Sequence, residues 1–140
     1  MEHVLELFDA IGVLARRRYQ TAERYFARLG LNHSEARLLT LLNQEGGEAT
    51  QEALSNLLNV DRSNAGRALK SLEHEGYVER YRHDEDRRTN LVRLTERGRG
   101  IAGEIATLKV VMARGFFGEL TEEQAGEIVG LLRRAHALDV

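Results

Sequence analysis

Two stretches concentrate the side chains that could do chemistry. In "DRSNAGRALK", Asp61 to Lys70, Ser63, Arg67 and Lys70 recur at spacings that share one helix face, and Arg62 and Asn64 stand beside Ser63 in the same first turn. Arginine bonds a guanine edge bidentately, asparagine does the same with adenine, and serine and lysine suit phosphate oxygens. In "RHDEDRRTN", Arg82 to Asn90, three adjacent carboxylates precede two adjacent arginines. Such a cluster is solvated loop charge, a metal loop, or a device for touching something highly charged. A calcium loop needs further spaced oxygens and a closing glutamate, which this stretch lacks.

Apolar periodicity says what positions these groups. Helical spacing runs from Val4 to Leu29 and stops at Gly30. Ser34 is the expected cap of a second helix, "SEARLLTLLNQE", which Gly46-Gly47 closes. A short third helix begins at Thr50, and only Asn59 to Asp61 separate it from a fourth, for which Asp61 is the expected cap and Gly76 the stop. In that fourth helix Ala65, Ala68, Leu69 and Leu72 fall on the inner face and Ser63, Arg67, Lys70 and His74 on the outer. The period then changes from about 3.6 to 2. "YVERY" and "NLVRL" alternate apolar and polar residues, so the charged stretch joins two antiparallel strands. Thr95 caps a helix running to about Phe117, and "TEEQ", Thr121 to Gln124, forms a capping box for the last one. The expected fold is mainly α with a small β-hairpin.

Composition narrows the classes. The chain has 140 residues, 42% hydrophobic and 30% charged, enough for one compact domain or for one core plus helices that serve an oligomer. Cysteine is absent, which excludes disulfides, Cys-type zinc sites and thiol redox sensing, and suits a reducing, cytoplasmic setting. No apolar run approaches the roughly 18 residues of a membrane helix, and the acidic, amphipathic start is unlike a signal peptide. The five histidines show no H-x-x-x-H spacing, so no metal or other cofactor is expected. No activated nucleophile, phosphate loop or paired carboxylates stand out, which argues against an enzyme. Net charge is -2, so nucleic-acid binding must rest on where the arginines sit.

A short helix, a tight turn and a helix with a polar outer face describe a helix-turn-helix. A duplex major groove admits one helix, whose N-terminal turn meets the bases. The hairpin that follows is then a wing. On this reading Arg87 or Arg88 enters the adjacent minor groove. Asp86 pairs with Arg88 or a strand arginine to shape the tip. A winged helix kept for protein interaction is the rival reading, which the acidic balance would suit.

From Ser34 to about Gly100 the sequence resembles the MarR family of winged-helix transcription regulators. The segment "TQEALSNLLNVDRSNAGRALKSLEHEGYVERYRHDEDRRTNLVRLTERG" carries the likeness, through a helix ending at Gly76, a D-x-D-R-R wing at Asp84 to Arg88, and L-T-x-x-G at Leu94 to Gly98. Ala65-Gly66 departs from the family's frequent β-branched pair. The resemblance implies three parts: a dimerisation helix over 1–32, a winged helix-turn-helix over 33–100, and dimerisation helices over 101–140. It implies a homodimer on a palindromic double-stranded DNA operator, with Arg62, Ser63, Asn64, Arg67 and Lys70 on the recognition helix and Arg82, Arg87 and Arg88 on the wing. Arg88 falls on the arginine that pairs with the wing aspartate, Asp86, and Arg87 on the one that touches DNA. A small aromatic or phenolic effector bound between the dimerisation helices and the DNA-binding domain is also implied. By position alone, Arg16, Tyr19, Phe26, His33 and Leu38 would line its site.

Overall fold

The computed structural model describes residues 1–59, 62–82 and 90–138, with the side chain of Arg62 left out. The chain runs α1 (Glu2–Ala27), α2 (His33–Gln44), β1 (Glu48–Thr50), α3 (Gln51–Leu58), α4 (Arg62–His74), β2 (Val78–Arg82), β3 (Asn90–Leu94), α5 (Glu96–Phe116) and α6 (Glu122–Ala135). The expected mainly helical fold with a small sheet is therefore present. The expected caps Asp61, and the wing residues Asp84 to Arg88, lie outside the described residues.

The sheet differs from expectation. It has three antiparallel strands in the order β1-β3-β2, not two. Strand β3 is central, with Val92 opposite Ala49 on one side and Arg80 on the other. A three-residue strand carries too little local pattern to announce itself; it exists because β3 offers it a ladder. A second correction concerns the start of α2. Asn32, not Ser34, is the cap: its side chain accepts the Glu35 N–H at 2.8 Å, and the Glu35 carboxylate accepts the Asn32 N–H at 2.9 Å. The reciprocal box satisfies two helix-end donors that Ser34 could not both reach.

Leu38, Leu39 and Leu42 of α2, Leu54 of α3, and Leu69 and Leu72 of α4 are fully buried with Val92 of the sheet. Phe26 of α1 and Ile101 and Ile105 of α5 close this core from the other side. The outer parts of α1 and α5, and all of α6, behave differently. Val4, Phe8 and Ile11 on α1 are exposed, as are Val110 and Val111 on α5 and Ile128 and Leu131 on α6. Helix α6 buries no residue in the single chain. Apolar stripes at helical spacing that find no cover within one chain mark an interface.

Candidate nucleic-acid interface

Helices α3 and α4 are set by their ends. The Thr50 hydroxyl accepts the Ala53 N–H at 3.0 Å and starts α3, and Asn59 ends it in the left-handed region at φ 57°. Asparagine tolerates that conformation better than most residues, so the helix can stop there. Burial of Ala65, Ala68, Leu69 and Leu72 then fixes which side of α4 faces out. Ser63, Asn64, Arg67 and Lys70 are all exposed on it. Arg67 donates through Nη2 to the Asn64 side-chain oxygen. The two side chains expected to read bases are thus coupled to each other, which holds the guanidinium on a defined side of the helix. Spacing alone could have suggested this pair, since Asn64 and Arg67 are three apart on one helix.

The wing is anchored by contacts that sequence reasoning did not anticipate. Arg80 of β2 donates to Glu73 of α4 through Nη2 at 3.0 Å and Nε at 3.4 Å, tying the wing's first strand to the end of α4. Across the sheet, Glu48 accepts the Tyr81 hydroxyl at 2.7 Å and Arg93 Nε at 3.1 Å, and Arg93 Nη2 donates to the Tyr81 oxygen at 2.8 Å. The bond to Glu48 raises the Tyr81 pKa above its ordinary value, and the same carboxylate raises that of Arg93. Glu48 belongs to the unanticipated strand, which is why this triad stayed hidden. The alternation "EAT" directly after Gly46-Gly47 was its one sequence trace. Arg82 ends β2 exposed, opposite Asn90.

The five residues expected to line an effector site separate into three groups. Tyr19 and Phe26 of α1 meet His33 at the start of α2, with ring centroids 4.4 and 5.9 Å from the imidazole. Leu38 is sealed in the core and Arg16 is exposed. Burial, and the guanidinium groups of Arg37 and Arg18, lower the His33 pKa, with Glu23 opposing them. Among the described residues His33 Nδ1 is buried without a hydrogen-bond partner. A separate cleft of about 530 Å³ opens between α1 and α5, lined by Arg17, Arg24, Tyr25, Met112 and Phe116 among others, and by none of the five. Among the described residues no cluster of His, Asp or Glu could hold a metal ion. No helix there is long and apolar enough to cross a membrane.

Comparison with known proteins agrees with this geometry. Residues 31–89 match the sequence model of the MarR family. The chain is similar to the HTH-type transcriptional regulator YdgJ of Bacillus subtilis, with 42% identity over 76 residues, 54% of this chain and 46% of that protein. The fold is similar to that of a MarR transcriptional regulator from Methanosarcina mazei Go1, with a TM-score of 0.81, 28% identity and 92% of each chain covered. It is also similar in fold to a mutant MarR from E. coli complexed with operator DNA, with a TM-score of 0.79, 22% identity and 95% of each chain covered. Residues 31–89 are thus similar to the MarR family, and the relatives named here are transcription regulators.

Proposed function

We propose that this protein is a sequence-specific regulator that binds double-stranded DNA as a homodimer on a palindromic operator. The observation that carries this is the outer face of α4, where Asn64 and Arg67 are bonded to each other beside a hairpin tied to the same helix by Arg80 and Glu73. A paired asparagine and arginine at the N-terminal half of a groove-sized helix suit base edges, and Ser63 and Lys70 suit phosphates. Arg82, at the end of β2 opposite Asn90, is assigned to DNA with them. Arg62, and Arg87 and Arg88 of the wing, are assigned to DNA by the resemblance, with Asp86 shaping the tip. The net charge of -2 leaves affinity to this local patch.

The exposed apolar stripes of α1, α5 and α6 support the dimer. Two winged helices then meet half-sites about one helical turn apart. Repression, relieved by a small aromatic or phenolic effector, is the regulatory sense we assign, following the family. Tyr19, Phe26 and His33 form the part of the proposed effector site that the packing supports. There, a phenolic hydroxyl could satisfy the orphan His33 Nδ1 and stack on the rings. Arg16 and Leu38 are proposed to contribute only from its margins.

Selection of bound duplexes from a random pool tests the reading, and the expected result is an enriched palindrome. Arg87→Ala should then weaken operator binding and lower the salt slope by about one. Failure to enrich any duplex overturns the reading and favours a protein-interaction module. Small aromatic acids and phenols screened against the selected duplex should include one that releases it.

A further inference from the structure

We infer that Glu35 is a positioning residue for the recognition helix, acting through Ser71; the inference rests on the DNA-binding reading above and deepens it. Glu35 is a carboxylate only 6% exposed in a small domain, so each of its oxygens needs a partner. Oε1 accepts the backbone N–H of Asn32 in the cap of α2. Capping therefore explains one oxygen. It does not explain the other, which accepts the Ser71 hydroxyl of α4 at 2.7 Å, across 36 residues of sequence.

The place of that bond gives it a role. Ser71 follows Arg67 by one helical turn and Asn64 by two, so the three lie along one flank of α4. Asn32, Ser34, Asn64, Arg67 and Ala68 line the groove between that flank and the start of α2. The buried contacts of α4 are made by Ala65, Ala68, Leu69 and Leu72, which are apolar, and a second polar tie, Glu73 to Arg80, holds the last turn, away from Asn64 and Arg67. Apolar burial is non-directional and tolerates a small roll or slide of the helix. A short bond to a carboxylate does not. The Glu35 carboxylate is itself held by the capping box and by its favourable place in the first turn of α2. Ser71 is thereby fixed to a rigid point, and the roll of α4, hence the aim of Asn64 and Arg67, is set from α2.

A loss of aim differs from a loss of fold in what it does to binding. Phosphate contacts tolerate small rotations, whereas bidentate base contacts do not. Ser71 is exposed, so Ser71→Ala removes one hydroxyl and no core volume. The full-length variant should lose about tenfold in affinity for the duplex selected by the wild type, about one base pair's discrimination, while its affinity for random-sequence duplex stays unchanged. Ser71→Thr keeps the hydroxyl and should restore the ratio. Glu35→Gln should also preserve it, because an amide can accept from Asn32 and donate to Ser71. Unchanged specific affinity in Ser71→Ala, or equal losses on both duplexes, would overturn the role of Glu35 and leave the DNA reading standing. A wild type that enriches no duplex overturns both.

Discussion

At Gly98 a methyl group would overlap the carbonyl oxygen of Tyr77 and press on a Leu94 methyl at 3.1 Å. The site lies where α5 leaves the sheet: Thr95 caps the helix by accepting the Gly98 N–H, and its hydroxyl donates to the Gly76 carbonyl at 2.7 Å. Because the obstacle is backbone, Gly98→Ala should cost about 1–3 kcal/mol, read as a lower denaturation midpoint at unchanged slope. Gly100→Ala is its control. Nothing stands within 4 Å of that position, and alanine there should stabilise by up to about 1 kcal/mol. Equal effects at both sites would remove the packing account. In the sequence Gly98 was visible only as the last letter of a familiar pattern, since the obstructing Tyr77 is distant in the chain. Asn64 and Arg67 were more legible, because their spacing belongs to a single helix. For Arg67→Ala the expected outcome is relaxed base preference at one operator position, checked by repeating the duplex selection. A uniform loss across all sequences would reassign Arg67 to a phosphate.

Helices announced themselves and the smallest strand did not, for a physical reason. Helical period and caps are local, whereas β1 is stabilised by pairing Glu48, Ala49 and Thr50 with Arg93, Val92 and Leu91. The same non-locality concealed both links that orient the wing, Arg80 to Glu73 and Glu48 to Tyr81 and Arg93. The cap of α2 was misassigned by two residues. Ser34 is a good capping residue by type, but Glu35 sits three residues after Asn32, and that spacing decides the box. Replacing the true cap, Asn32→Ala, should cost about 1 kcal/mol, while Ser34→Ala should change stability by less. Thermal or urea unfolding of the two variants side by side checks the assignment, and a larger loss at Ser34 would reverse it.

For the whole molecule, the start of α2 is the joint that touches both α1 and α4. His33 carries the α1 contact, and Glu35, two residues on, carries the α4 contact. The folded state lowers the His33 pKa, so the unfolded chain binds this proton more readily, near the ordinary value of 6.5. Stability should therefore fall as pH drops through 6.5, and this loss should level off below the lowered folded value. His33→Gln should flatten that part of the profile, measured by urea unfolding between neutral and mildly acidic pH. An unaltered slope would place the pH dependence elsewhere.

The exposed stripes raise the last question, which is whether α1, α5 and α6 serve a partner copy. Phe8 is 76% exposed and Leu131 59%, values at odds with isolated surface helices of a stable monomer. Burying such stripes against a second chain would stabilise the assembly by roughly 25 cal/mol per Å² of apolar surface covered. A carboxylate placed in that interface would be desolvated without a partner, which costs several kcal/mol. Phe8→Glu with Leu131→Glu should thus yield a monomer by sedimentation at micromolar concentration, with the helical signal of the winged domain retained. Its core, from Leu38 to Ile105, lies outside the altered surfaces. The monomer should still touch half an operator, but weakly, because two half-sites no longer bind as one. A wild type that sediments as a monomer would sink the dimer, and a variant that stays dimeric would move the interface off these stripes.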